Sequence, residues 1–193
     1  DASQAGLYLN MNIEELGVDL MTLDAQKMYG PKGIGILFVR DGIKIAPIIF
    51  GGGQEKGMRS GTENIPLIIG MTYAFELARK ISTKESLRLI KIRDYFFREI
   101  NKFVPSAIIN GDKIARLPNN INISIPNKDG EMMVFRLDEA EIICSSSSAC
   151  ASGSGESAVV MKLAEKTDLN KSEIADRAKS TLRFSMGKDT KIA

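Results

Sequence analysis

The feature that most constrains this chain is the stretch Asp24-Ala25-Gln26-Lys27-Met28-Tyr29-Gly30-Pro31-Lys32-Gly33, set between two mainly apolar runs, 18–23 and 34–39. Two such runs around a segment punctuated by Gly30, Pro31 and Gly33 read as strand, tight connection, strand. The unit puts one lysine, Lys27, in a turn between two strands. A lysine in that place has two readings. It is a solvated turn residue, the commoner case for a lysine in a loop, or an amine held for Schiff-base chemistry with its pKa lowered by desolvation or nearby charge. The turn alone leaves both open.

Bulk properties narrow the field. The chain has 193 residues, enough for one domain or two small ones, with 44% hydrophobic and 26% charged residues, an ordinary balance for a globular protein. A net charge of +2, spread along the chain, gives no argument for nucleic acid. No run approaches the roughly 20 apolar residues that span a bilayer. The chain starts on Asp1, not methionine, and no signal-like segment follows, so it reads as part of a longer protein. Its two cysteines, Cys144 and Cys150, are too few for a disulfide framework and have no partner cluster for zinc; the expectation is a reducing, cytoplasmic setting. Histidine is absent, which removes Ser-His and Cys-His nucleophile systems and most transition-metal sites from anything this chain does alone.

Further along, residues 1–6 read as a strand end turning into a loop, and 13–16 as a short helix closed by Gly17. Asp41-Gly42 makes a tight turn, and 43–50 reads as strand or extended chain. The polar loop 51–64 holds five glycines together with Arg59, Thr62, Glu63 and Asn64, groups suited to gripping a ligand or a partner chain. Helical spacing predicts one helix over 65–80 and a second over 84–103, capped by Ser82 or Thr83, its apolar face made of Leu89, Ile92, Phe96, Ile100 and Phe103. The break at 81–83 marks the expected boundary between two domains, 1–82 and 83–193. Beyond it, 107–109, 121–125 and 141–144 read as strands and 131–137, 158–164 and 171–179 as helices, the last capped by Asn170 or Ser172. Residues 181–187 alternate like a strand, with Arg183 on the opposite parity to Leu182 and Phe184.

The segment 145–155 is rich in serine and contains no large apolar residue, yet it carries Cys150. That composition reads as an exposed, mobile loop. A free thiol on such a tether is poor structural material, which favours function. Cys144, at the end of an apolar run, reads as a small core residue.

Together these segments resemble the cysteine desulfurases, pyridoxal-phosphate enzymes of the class V aminotransferase family. The carriers are Asp1-x-x-Gln4, Lys27 within Lys-x-Tyr-Gly-Pro-Lys-Gly, the loop from Gly51-Gly52-Gly53-Gln54-Glu55 through Arg59-Ser60-Gly61-Thr62-Glu63-Asn64, Ser148-Ala149-Cys150, and Leu182-Arg183-Phe184-Ser185. The resemblance implies an α/β chain: the C-terminal part of a fold type I large domain that binds pyridoxal 5'-phosphate (PLP), followed by a small α+β domain. It implies that Lys27 holds the cofactor as a Schiff base and acts as acid and base, that Asp1 pairs with the pyridine nitrogen, and that Gln4 bonds the ring's phenolic oxygen. Asp24 and Gln26 stand near the cofactor phosphate, and Thr62 reaches the phosphate of a neighbouring subunit. Arg183 would grip the substrate carboxylate. Cys150 would take sulfur from L-cysteine as a persulfide and release alanine, and its long loop resembles the branch serving iron–sulfur assembly and tRNA thiolation. Implied partners are L-cysteine, a second copy in a homodimer, and a sulfur acceptor such as an iron–sulfur scaffold or tRNA thiolation enzyme, with no direct nucleic acid and no membrane.

Two positions depart from the family pattern, which commonly has serine at Asp24 and histidine at Gln26. A carboxylate aimed at a phosphate dianion is repulsive, so Asp24 is expected to turn away, toward Lys32 or Arg59, leaving backbone N–H groups to help hold the phosphate. The resemblance also implies an N-terminal half before Asp1 and a helical segment after Ala193. Two alternatives accompany the main reading: a selenocysteine lyase or other class V enzyme, and a non-catalytic homologue that keeps dimer and acceptor-docking surfaces.

Overall fold

The computed structural model of the protein describes residues 1–146 and 156–192. The chain forms two compact units, Asp1–Glu85 and Ser86–Ala193. In the first, α1 (Ile13–Leu16) starts where the Asn12 side chain accepts the Glu14 and Glu15 N–H groups, and ends on Gly17 at φ 61°. Strands β1 (Leu20–Asp24) and β2 (Gly35–Val39) pair antiparallel, from Leu20 opposite Val39 to Asp24 opposite Gly35. Met21 and Leu23 of β1 point into the core, as period-two alternation requires. Gly35 has no room for a side chain, because a Cβ would lie 2.7 Å from the Leu23 carbonyl oxygen. Residues 43–50, read as strand or extended chain, form no strand.

Helix α2 (Ile65–Phe103) is a single element of 39 residues, which corrects the expectation of two helices with a break at 81–83. The Ser82 hydroxyl donates to the Arg79 carbonyl at 3.2 Å, bonding back into the helix instead of capping a new one. No proline or glycine lies between Met71 and Phe103 to interrupt the ladder. The division between the units therefore falls within a helix.

The second unit holds a three-stranded antiparallel sheet in the order β3 (Ile108–Ile109), β4 (Asn120–Ser124), β5 (Thr181–Ser185). With it go α3 (Gly130–Glu139), α4 (Ala158–Ala164) and α5 (Lys171–Lys179). Helix α5 begins on a full capping box between Asn170 and Glu173, which selects Asn170 from the two candidate caps. The core is built from Ile121, Ile123 and Leu182 of the sheet with Val160, Ala164 and Ala178 of the helices. The strand expected over 141–144 is absent. The chain there closes α3 instead: Glu141 adopts φ 61°, its N–H donates to Asp138, and the Ile142 N–H donates to Leu137 at 2.8 Å, a Schellman ending.

The buried stripe of α2 in this unit also differs from the expected face. Leu89, Arg93 and Phe97 are buried, whereas Phe103 is 80% exposed. A charged residue hides the true stripe. The Arg93 guanidinium, 4% exposed, donates twice to Asp94 and lies 6.0 Å from the Phe97 ring centre. Cys144 is half-buried rather than a core residue, and its thiol pKa is pushed up by desolvation first and by the Asp138 charge second.

Candidate active site

The connection between β1 and β2 is a 3-10 helix, Ala25–Met28. Asp24 sets its start: one carboxylate oxygen accepts the Gln26 backbone N–H at 3.1 Å, the other the Gln26 side-chain amide at 3.0 Å. The partner of Asp24 is Gln26 and neither Lys32 nor Arg59, which corrects that expectation. The reason is local: an aspartate just before a helical turn is well placed to take an N–H that would otherwise lack an acceptor. Gln26 keeps one amide N–H and its carbonyl for other contacts.

The turn is clamped from beneath. Ala25 and Met28 are 0% and 2% exposed, while Gln26 and Lys27 face outward. Tyr29 closes the turn at φ 61°, and the Gly30 N–H returns to the Ala25 carbonyl at 2.9 Å. Gly30 and Pro31 then lie against α2. A Cβ on Gly30 would stand 2.9 Å from the Ala74 Cβ, and one on Gly70 would stand 3.0 Å from the Pro31 ring. Lys27 is thus an exposed amine on a rigid support, and it makes no hydrogen bond or ion pair with any described residue.

The segment at Asp1 packs beside this turn. The Ala2 N–H donates to the Thr22 carbonyl of β1 at 3.0 Å, and Gly6 lies so close to Met28 that a Cβ would meet its sulfur at 2.8 Å. One Asp1 carboxylate oxygen accepts from the Ser3 N–H at 2.8 Å and the Thr22 hydroxyl at 3.2 Å, leaving the other open. Gln4 is exposed on the same segment. Asp1 is thus bonded to Thr22 within β1, Asp24, Gln26 and Lys27 follow where that strand ends, and Gln4 lies on the Asp1 segment. Thr62 lies exposed in the glycine-rich loop, where the Gly61 N–H donates to the Gln54 side chain and Ser60 to the Ile49 carbonyl.

Arg183 belongs to the second unit, on β5 opposite Asn122. Its side chain is half-buried, with Nη2 donating to the Ser145 hydroxyl at 3.4 Å and a buried Nε that has no partner. Ser145 was not singled out by the sequence, where it is the first of four consecutive serines; its pairing with Arg183 is visible only in three dimensions. Cys150 lies outside the described residues. Among the described residues, no group of histidine, cysteine or carboxylate side chains could hold a metal ion.

These residues suit an aldehyde cofactor. An unengaged lysine amine can condense with a carbonyl, and a carboxylate with one open oxygen can hold a ring N–H. A support that a single Cβ would disturb keeps the amine in place. Such a lysine, on a strand–turn–strand unit with a carboxylate on the adjoining segment, has the form of a carbonyl-cofactor site in an α/β enzyme. The chain belongs to the class-V aminotransferase family, whose pattern matches residues 1–192. That family works with PLP.

Named relatives are consistent with this. The chain is 47% identical over 161 residues to the cysteine desulfurase IscS of Dictyoglomus turgidum, an overlap of 83% of this chain and 41% of the relative. It superposes on the structure of a NifS-like protein from Rickettsia africae with a TM-score of 0.81 and 30% identity, covering 99% of this chain and 48% of the other. A structure described as SspA in complex with cysteine gives a TM-score of 0.67 at 30% identity, covering 96% and 49%. The chain thus spans less than half the length of these relatives.

Proposed function

We propose that this chain is part of a cysteine desulfurase that converts L-cysteine to L-alanine and carries the released sulfur as a persulfide on Cys150. The observation that carries the reading is Lys27: a free amine on a turn clamped by Ala25, Met28 and Gly30, at the end of the strand to which the half-open Asp1 carboxylate is bonded. When bound on Lys27, PLP supplies an electron sink for the substrate carbons. Lys27, displaced by the substrate amine, would be the group that moves protons at those carbons, Asp1 would pair with the ring N–H, and Gln4 would donate to the ring oxygen. The remaining Gln26 amide N–H and other backbone N–H groups of the turn would help hold the phosphate, with Asp24 fixing Gln26.

Arg183 holds the substrate carboxylate, which suits a half-buried guanidinium without a carboxylate partner among the described residues. The Cys150 thiolate attacks the substrate sulfur. A sulfur–sulfur bond forms, the carbon–sulfur bond breaks, and its electron pair takes up a proton as the alanine methyl group. Cys150 stands five positions after Ser145, a reach of at most about 18 Å. The relatives' names and the cysteine-bound SspA support L-cysteine as substrate. The sulfur passes to an iron–sulfur scaffold or a tRNA thiolation enzyme. A second copy completes the phosphate site through Thr62, a reading supported by the exposed Ile48 and Phe50 beside the glycine-rich loop. No helix among the described residues is long and apolar enough to cross a membrane. The test is release of alanine from L-cysteine by the full-length protein, with persulfide formation lost in Cys150→Ala. Absence of alanine release, or persulfide formation unaffected by that substitution, rejects the proposal.

A further inference from the structure

Arg183 is held from one side by Ser145. Its backbone N–H donates to the Ser145 carbonyl at 2.7 Å and its carbonyl accepts the Ser145 N–H at 3.0 Å. In an antiparallel ladder, a residue's N–H and C=O point to the same side. Arg183 therefore spends both backbone groups on Ser145 and faces Asn122 of β4 as a non-hydrogen-bonded pair. Residues directly opposite in a ladder send their side chains to the same face, so Ser145 and Asn122 flank the Arg183 side chain. The Ser145 hydroxyl accepts from Nη2 at 3.4 Å, a long contact, while Nε is buried without any partner and Nη1 makes no hydrogen bond with a described residue. The guanidinium is thus steered by one weak bond and left with unused donors.

We propose that Ser145 is a positioning residue for substrate-carboxylate binding: it sets the rotation of the Arg183 guanidinium so that the accessible unused Nη1 group meets the carboxylate. The inference rests on the role of Arg183 given above. A hydroxyl suits the task because it orients the cation without neutralising it, whereas a carboxylate at position 145 would compete with the substrate. The 3.4 Å length also lets the guanidinium tighten onto a ligand without losing a strong bond.

The test uses full-length holoprotein and equilibrium titration of the cofactor's visible absorbance with L-alanine, which carries the carboxylate but no thiol. Ethylamine, the same amine without the carboxylate, is the control. Ser145→Ala is expected to weaken L-alanine binding about three- to tenfold, the worth of one hydrogen bond, and to leave ethylamine binding unchanged. Ser145→Thr, which keeps the hydroxyl, is expected to restore most of the loss. In turnover, Ser145→Ala should raise KM for L-cysteine with little change in kcat. If Ser145→Ala alters L-alanine binding by less than twofold while Arg183→Ala abolishes it, the positioning role is wrong and the carboxylate role of Arg183 stands. If Arg183→Ala also leaves L-alanine binding intact, both are wrong. An equal loss toward ethylamine and L-alanine in Ser145→Ala likewise overturns the proposal, because it marks a general structural defect.

Discussion

Gly30→Ala tests whether the support beneath Lys27 is as tight as its geometry states. The new methyl would lie 2.9 Å from the Ala74 Cβ, 3.0 Å from the Ala25 carbonyl oxygen and 3.2 Å from the Ala25 Cβ. Ordinary carbon contacts sit at about 3.5–4.0 Å. None of the three atoms is the end of a flexible side chain, so relief requires the turn or α2 to shift. Overpacking of this kind costs about 1–3 kcal/mol. Working against it, alanine lowers the freedom of the unfolded chain by about 0.4–1 kcal/mol, and Gly30 is not among the positive-φ glycines, so its backbone suits alanine. The expected net loss is about 1–2 kcal/mol. Ala74→Gly removes the shortest contact but weakens α2 by about 1 kcal/mol on its own. The double variant should therefore be less destabilised than the sum of the singles by about 1 kcal/mol, beyond the roughly 0.5 kcal/mol expected of independent sites. Urea denaturation of the full-length apoprotein reads the stability, and visible absorbance after reconstitution reads whether Lys27 still takes up cofactor. A Gly30→Ala protein as stable as the parent, or strictly additive singles, would refute the clamped-turn argument.

Two further predictions follow from the same side chains. Asp24→Ala, which removes the cap of the Lys27 turn, should destabilise by about 1 kcal/mol in denaturant melts, while Asp24→Ser should recover most of it because a hydroxyl can accept the same Gln26 N–H; equal losses in the two would show that capping is not the role of Asp24. Cys144 has its thiol pKa raised by burial and by Asp138, so it stays protonated, and its alkylation by iodoacetamide should be slow at neutral pH and rise only above the ordinary thiol range. Mass spectrometry of the labelled full-length protein checks this, and rapid modification of Cys144 at pH 7 would contradict it.

Local structure was legible wherever one residue type dictates one geometry. Gly17, Asn170 and the strand–turn–strand around Lys27 appear where the sequence puts them, because caps and turns are made by nearest neighbours. The failures have a common cause. Ser82 looked like a helix start because serine can cap, yet inside a continuous ladder it bonds back to Arg79. Residues 141–144 looked like a strand because they are apolar, yet the ending of α3 consumed Glu141 and Ile142. The apolar face expected from Leu89, Ile92, Phe96, Ile100 and Phe103 left out Arg93, yet Arg93 is buried with Leu89 and Phe97, its guanidinium over the Phe97 ring.

By itself, then, the sequence determined the family and supplied the candidate site residues, since these depend on residue type and spacing. Only the tertiary structure decided what each group is free to do. Whether the Lys27 amine stands unengaged and whether Ser145 pairs with Arg183 depend on residues far apart in the chain, and the partner of Asp24 depends on the turn the backbone adopts there. Lys27 and Asp24 differ in this respect for a physical reason: a carboxylate at a helical start finds an N–H within its own turn, whereas an amine on the outer face of that turn finds none.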